Sequence, residues 1–354
     1  MRTVTAYATT GPKTPFQKTS IERRDVGPKD VLIKIGYAGI CHSDLHTAWG
    51  EWGDTLFPLV PGHEIAGTVE QIGSKVTGYS VGDRVGVGCM VDSCRQCENC
   101  LAGLEQYCLN GFIATYNAIG KDGRATDGGY STHIVVDEDF VLGIPEGITS
   151  DVAAPLMCAG ITLYSPLCHW GAGPDRQIAI VGLGGLGHMG VKIAHAMGAE
   201  VTVLSHTPEK QSDAIALGAD HFYPTSDTDT FDLLARRFDL IIDTVSAKVA
   251  IDSYLSLLRL DGSFVNVGAP PEPLTVHAFS LVDGRRSISG SLIGGVRETQ
   301  EMLDFCAGHG IGADIEVIGG GEIDAAYQRM LQSNVHYRFV IDIASFDTDE
   351  APRN

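Results

Sequence analysis

Two short stretches carry side chains that could hold a metal, Cys41-His42-Ser43-Asp44-Leu45-His46 and Gly62-His63-Glu64. A thiolate, an imidazole and a carboxylate suit a borderline-soft Zn²⁺, and a catalytic zinc keeps three protein ligands and one open position. Cys41 and His63 are far apart in sequence, as ligands of a site assembled from separate segments are. On these residues alone, a core thiol and a hydrogen-bonded core histidine stand as the other reading. Further on, Cys94, Cys97, Cys100 and Cys108 are spaced C-x₂-C-x₂-C-x₇-C. Four thiolates so close can close a tetrahedron around one zinc with no open position, which is a structural site. The bacterial iron–sulfur run ends instead in a three-residue gap and Cys-Pro. Four unliganded thiols in one loop would oxidise readily.

A third stretch points to a nucleotide. Gly182-Leu183-Gly184-Gly185-Leu186-Gly187 follows directly on the apolar run Gln177-Ile178-Ala179-Ile180-Val181 and precedes a helical pattern over 188–197. Between a buried strand and a helix each glycine has a mechanical task. Gly182 makes the tight turn, Gly184 lets the backbone approach a pyrophosphate, and Gly187 lets helix and strand pack closely. The helix N-terminus adds N–H groups and partial positive charge for the phosphates.

The elements that must hold these groups fall into two textures. Strands are predicted at 4–8 and 31–35, and the stretch 66–87 is punctuated by Gly67, Gly73, Gly78, Gly82 and Gly86. This reads as a small, barrel-like β unit whose loops carry metal ligands. From residue 151 the texture changes. A helix is predicted to open at Asp151 and run through Leu163, with Cys158 in an apolar context that by itself reads as a buried, inert thiol. Strand and helix patterns then alternate: strands at 177–181, 201–204, 240–243, 263–267 and 287–291, helices at 188–197, 210–217, 250–258 and 297–306. Such alternation builds a doubly wound parallel sheet. The end of the chain returns to β texture, with a strand at 337–342.

Whole-chain properties narrow the partners. A chain of 354 residues is long enough for about two domains. Hydrophobic residues make up 44% and charged residues 19%, a globular composition. The net charge of −19, from 25 basic and 44 acidic residues, argues against nucleic acid and anionic membrane as partners. No run of 18 apolar residues occurs, and the N-terminus lacks a signal peptide's apolar core. A cytoplasmic location is therefore expected. The nine cysteines read as metal ligands or free thiols rather than disulfides.

Taken together, Cys41-His42-Ser43-Asp44, Gly62-His63-Glu64, the four-cysteine lobe, Met157-Cys158-Ala159-Gly160-Ile161-Thr162 and Gly182–Gly187 resemble the zinc-dependent medium-chain alcohol dehydrogenases. The match is close to their cinnamyl-alcohol-dehydrogenase-like branch of NADP-dependent aldehyde reductases, and it covers nearly the whole chain. It implies an α/β fold in which a Rossmann nucleotide domain (152–292) is inserted into a discontinuous GroES-like β-barrel catalytic domain. That domain would comprise 1–151, with a structural zinc lobe at about 89–112, and a C-terminal return at 293–354. Two zinc ions per chain, NADP, a small alcohol or aldehyde substrate and a homodimer are implied with it.

The resemblance also assigns roles. Cys41, His63 and Cys158 would hold the catalytic zinc, with Glu64 beside it and able to ligate transiently, and Cys94, Cys97, Cys100 and Cys108 the structural zinc. Asp44 would orient His63, as metal-bound histidines require. Ser43 and His46 would relay the proton, a hydroxyl followed by a titratable imidazole. Trp49, Trp52 and Phe57 resemble the substrate channel's lining. Thr162, Gly182, Gly184, Gly185, Leu186, Gly187, Val267 and Arg338 would serve the cofactor, Arg338 at the pyrophosphate.

Cofactor choice is legible at the end of the second strand of the nucleotide domain, Val203-Leu204-Ser205-His206-Thr207-Pro208-Glu209-Lys210. NAD-specific sites place a carboxylate there for the ribose hydroxyls. Ser205 stands in its place, and Ser205, His206, Thr207 and Lys210 form the expected 2′-phosphate site. Lys210→Ala is expected to weaken NADPH while sparing NADH. An NAD-linked polyol or secondary-alcohol dehydrogenase is the alternative within the same fold, but it would carry the missing carboxylate. A non-catalytic NADPH-binding protein is a second alternative; the full zinc ligand set and the Ser43/His46 relay argue against it.

Overall fold

The computed structural model describes residues 1–227, 229–270 and 272–348, and these form two units. The first comprises residues 1–158 and 294–354 and the second 159–293, each described here by itself.

The first unit is built on a seven-stranded sheet whose central strand is Asp30–Gly39. Ile65–Ile72 and His133–Asp137 pair with it antiparallel on its two sides. Arg84–Val87 and Leu142–Gly143 extend the sheet beyond Ile65–Ile72. The C-terminal strand Arg338–Asp342 pairs antiparallel with the end of the central strand, Val340 opposite Gly39. A parallel strand, Ile315–Ile318, lies outside it. The last strand among the described residues thus completes the sheet begun by the first hundred residues, the discontinuity that the family resemblance implies and the return of β texture agrees with. Alternation puts Val31, Ile33 and Ile35 in the core, and Lys34 outward.

The first boundary falls at Cys158, not at residue 151. The reason is packing: Ala153, Ala154, Leu156 and Met157 are fully buried against strands of this sheet. Nor does one helix run from Asp151 to Leu163. The chain makes a helical turn at Ser150–Ala153 and a 3₁₀ turn at Ala154–Met157, then breaks at Cys158, whose φ of −127° and ψ of −66° are not helical. A new helix runs from Ala159 to His169. Pro155, which has no N–H to give, stands inside that 3₁₀ turn.

In the second unit six parallel strands lie in the order His221–Pro224, Glu200–Ser205, Gln177–Val181, Phe238–Asp243, Leu258–Asn266, Ser287–Gly290. This is the doubly wound sheet expected, with one strand more than the pattern gave. His221–Pro224 is short, half-buried and ends in proline, so it offers neither an apolar run nor alternation. The helix after the glycine motif runs Gly187–Ala196. The one after the second strand is shorter than expected, a 3₁₀ turn Pro208–Lys210 and then Gln211–Ala216.

Candidate active site

The first unit gathers two sets of metal-ligating atoms. Those of Cys41, His63, Glu64 and Cys158 all lie within 4.8 Å of one another, and all four residues are buried. They come from three local devices. Cys41 precedes the helix His42–Ala48, His63 and Glu64 precede strand Ile65–Ile72, and Cys158 stands at the helical break. The sequence alone left Cys41, His63 and Cys158 open to a core reading. Their convergence in a buried pocket fits a cation, because three such donors without one would be a cluster of competing charges.

The electrostatics show that competition. The Sγ atoms of Cys41 and Cys158 are 3.9 Å apart. The hydrogen bond from Cys158 holds the Cys41 thiol well below its ordinary range, and the same contact pushes Cys158 well above it. Burial alone would lower His63, but the neighbouring Cys89 and Asp44 outweigh it and raise it well above the usual imidazole range. A divalent cation replaces these protons, since its ligands bind deprotonated.

His63 is fixed from behind. Asp44, with no exposed side-chain surface, accepts from His63 Nδ1 at 3.1 Å, Gly62 N at 3.1 Å and Cys41 N at 2.8 Å. That leaves Nε2 for a metal, the orientation a ligating histidine needs. Tyr130 Oη donates to Asp44 at 3.3 Å, and the Tyr116 ring stacks on His63 with centroids 5.7 Å apart. Cys89, half-buried, adjoins the cluster, and hydrogen bonding to Cys158 holds its thiol down to about 6. Nothing in the sequence singled out Tyr116, Tyr130 or Cys89, since none repeats at ligand spacing.

Glu64 turns to Arg338, and the two form a buried ion pair. The carboxylate lodges where a Cβ at Gly39 would lie, so only glycine fits at 39. Burial pushes Glu64 up to about 8 against the pull of Arg338. Among the described residues, Glu64 Oε2 and Arg338 Nε find no hydrogen-bond partner. Arg338 was expected at a pyrophosphate; here its guanidinium is engaged by Glu64.

The relay residues lie along the helix His42–Ala48. Cys41 Sγ donates to Ser43 Oγ at 3.5 Å. His46 Nδ1 is 2.6 Å from Glu51 Oε2, and its ring stacks on Trp52 at 5.0 Å. Glu51 escaped the sequence reading because an exposed glutamate in a loop gives no signal. The three aromatics do not share one setting. Trp52 is half exposed over His46, whereas Trp49 carries Lys13 Nζ 4.7 Å above its ring. Trp49 faces a separate cavity of about 470 Å³ that Phe16 and Tyr327 also line. Phe57 is half-buried.

The second set comprises Cys94, Cys97, Cys100 and Cys108, again with ligand atoms within 4.8 Å. Backbone N–H groups point at the sulfurs: Cys97 N to Cys94 Sγ at 3.3 Å, Leu109 N to Cys97 Sγ at 3.4 Å and Cys94 N to Cys108 Sγ at 3.4 Å. N–H donation from Gln96 and Cys97 holds the Cys94 thiol down to about 6. Four thiols wrapped by donors fit a closed tetrahedral metal.

In the second unit the glycine loop leaves the strand Gln177–Val181 at Gly182, whose φ is +87°. A Cβ at Gly187 would strike the Gly182 carbonyl oxygen, while at Gly184 it would meet nothing within 4 Å. The N–H groups of Leu183, Gly184, Gly185 and Leu186 meet no acceptor among the described residues. An open cradle of free donors at a helix start fits a pyrophosphate. Thr244 Oγ1 donates to Val181 O at 2.8 Å and His188 Nδ1 lies 3.2 Å from Gly184 O, so the loop is held from behind.

Ser205 ends its strand, buried, with His206 and Thr207 exposed beyond it. Thr207, not Ser205, stands at the cap of the following turn, without a side-chain cap bond. Lys210 Nζ donates to Leu183 O at 2.7 Å. Burial lowers its ammonium from the ordinary value, opposed by Asp213. Thr162 is buried in the helix Ala159–His169, and Val267 N donates to Asp243 O at 2.9 Å.

Comparison with known proteins places this geometry. Residues 27–146 match the family described as alcohol dehydrogenase GroES-like domain, and residues 185–308 the zinc-binding dehydrogenase family. The chain is 59% identical over 346 residues to NADP-dependent alcohol dehydrogenase C 1 of Mycolicibacterium smegmatis, covering 98% of this chain and 99% of that one. A cinnamyl alcohol dehydrogenase structure from Sorghum bicolor superposes with a TM-score of 0.94 at 43% identity, covering 97% of this chain and 98% of that one. A Helicobacter pylori structure described as CAD complexed with NADP(H) gives 0.91 at 40%, with the same coverage.

Proposed function

This chain belongs to the zinc-binding alcohol dehydrogenases with a GroES-like domain, and we propose that it interconverts primary alcohols and aldehydes with NADP(H) as the hydride carrier. The buried convergence of Cys41, His63, Glu64 and Cys158 within 4.8 Å is the observation that carries this reading. The relatives' names, an NADP-dependent alcohol dehydrogenase among them, and the absence of a carboxylate at Ser205 support the choice of cofactor.

When bound, zinc supplies Lewis-acid polarisation of the substrate oxygen, and the nicotinamide gives or takes the hydride. Cys41, His63 and Cys158 would hold the metal, and Asp44 keeps His63 Nε2 free for it. Ser43 holds the proton beside the ligand sulfur, and His46 carries it toward water with Glu51 orienting the ring. Leu183 to Leu186 would offer their N–H groups to the pyrophosphate, and Ser205, His206, Thr207 and Lys210 would hold the 2′-phosphate. The second metal set is structural and pins its lobe.

The half-exposed Trp52 over His46 supports uncharged, fairly apolar substrates, aromatic aldehydes included. Apolar pockets discriminate weakly, each methylene counting for about 1–3 kcal/mol, so specificity is broad. A homodimer is supported by the outermost strand Ser287–Gly290 and by Phe279, Val282 and Leu260, exposed to 75%, 68% and 66%. Nine free cysteines support a reducing, cytoplasmic setting. The test compares kcat/KM for NADPH and NADH with benzaldehyde. A preference for NADPH of at least about tenfold, some 1.4 kcal/mol, is expected, and Ser205→Asp should reverse much of it. Equal values for both cofactors in the parent would refute the NADP assignment.

A further inference from the structure

Lys210 was expected to serve the 2′-phosphate alone. Its ammonium instead reaches back to the glycine loop and donates to Leu183 O at 2.7 Å. That bond has a consequence for the backbone. In a planar trans peptide the C=O and the following N–H point in opposite directions. Turning Leu183 O toward Lys210 therefore turns the Gly184 N–H the other way. This N–H is one of the four loop donors without an acceptor among the described residues. His188 acts alike on the next peptide: with Nδ1 3.2 Å from Gly184 O, it sets the direction of the Gly185 N–H. Thr244 Oγ1 holds the Val181 carbonyl that opens the turn. Three side chains from outside the loop thus tie back two of its carbonyls, Leu183 O and Gly184 O (the latter also held by the His188 N–H), and the Val181 carbonyl just before it.

Of the three, only Lys210 comes from the segment that reads the adenosine ribose. An ammonium has three donors, and Leu183 O takes one, so two remain for a phosphate. We propose that Lys210 is a positioning residue of the pyrophosphate loop as well as the cation of the 2′-phosphate site, so that NADH binding depends on it too. This rests on the dinucleotide reading above. It deepens that reading by coupling the two phosphate sites through one side chain. The coupling also distinguishes Lys210 from Ser205, which has no hydrogen bond to the loop among the described residues. Ser205→Asp adds a charge facing the 2′-phosphate and leaves the loop as it is.

The test is equilibrium binding of NADPH, NADH and 2′,5′-ADP to the parent, to Lys210→Ala and to Ser205→Asp, followed by fluorescence. Lys210→Met, which keeps the aliphatic stem, replaces alanine should that variant fail to fold. Ser205→Asp should weaken NADPH and 2′,5′-ADP and leave NADH at least as tightly bound as in the parent. Lys210→Ala should weaken all three, NADH by about fivefold, the value of one hydrogen bond. A Lys210 variant that loses NADPH and 2′,5′-ADP while NADH stays within about twofold overturns the proposal and leaves the dinucleotide reading intact. A parent that binds neither dinucleotide overturns both.

Discussion

Arg338 and Glu64 are 274 residues apart in sequence, yet their side chains form an ion pair that is 3% and 0% exposed. The C-terminal strand brings Arg338 there by pairing with the end of Asp30–Gly39. Gly39, through its missing Cβ, makes the room for Glu64. The pair ties the strand Arg338–Asp342 to the residue beside His63, a candidate metal ligand.

Breaking a buried pair costs up to about 3–5 kcal/mol, less where the remaining carboxyl, here already pushed up by burial, takes up a proton. Arg338→Met should therefore lower unfolding stability by up to that much. The double variant Arg338→Met/Glu64→Gln should recover at least half of the loss. Calorimetry on metal-loaded protein measures both. A single variant as stable as the parent would mean that the pair holds nothing.

The four-cysteine lobe makes a different prediction. Its sulfurs are wrapped by backbone donors and offer no open position, so a metal held there would stabilise the fold and do no chemistry. Cys97→Ser should lower the melting temperature and the yield of folded protein, with specific activity per remaining folded chain little changed. Loss of activity at an unchanged melting temperature would contradict a structural role.

His46 has its Nδ1 2.6 Å from Glu51 and its ring stacked on Trp52. Proton relay through a positioned side chain contributes roughly 10²–10⁴-fold. A terminal relay group that water can partly replace should fall at the low end. His46→Ala should reduce kcat by about 10–100-fold, and Glu51→Gln by less, with the binding of NADPH unchanged. Equal kcat in parent and His46→Ala would remove His46 from the relay.

Much of this site was readable from residue types, because a metal or a pyrophosphate fixes both chemistry and spacing. The four-cysteine spacing and the Gly182–Gly187 cradle needed no tertiary knowledge beyond that, whereas Cys41, His63 and Cys158 stayed open to a core reading until the family resemblance joined them. What escaped was set by packing between distant segments. Arg338 on Glu64, Tyr116 and Tyr130 around His63 and Asp44, and Lys210 on Leu183 leave no periodic trace. The helix through Cys158 was misread for a related reason: an apolar stretch reads alike whether or not it breaks, and only its burial against the sheet fixes the bend. The strand His221–Pro224 was missed because it is half-buried and ends in proline.

Asp243 offers a test by pH. It is 1% exposed at the end of a parallel strand, and burial raises its carboxyl to about 6, opposed by the Val245 N–H. Between about pH 4 and 6 the folded chain holds this proton and the unfolded chain does not, so stability falls as pH rises through that window. Above it the cost is complete, at most about 3 kcal/mol. Asp243→Asn keeps the acceptor for Val245 N and removes the charge. It should be more stable than the parent at pH 7.5, by a margin that shrinks at pH 5. A constant margin, or a loss, in calorimetry at the two pH values would contradict this.

The zinc chemistry itself is tested most directly by metal analysis of folded protein, paired with NADPH oxidation by an aldehyde. The parent should hold two zinc ions per chain and turn over. Cys158→Ser should remain folded, hold one zinc ion, and lose nearly all turnover. A parent that is fully active with one zinc ion or none, or a Cys158→Ser variant that keeps both its zinc and its activity, would contradict the account.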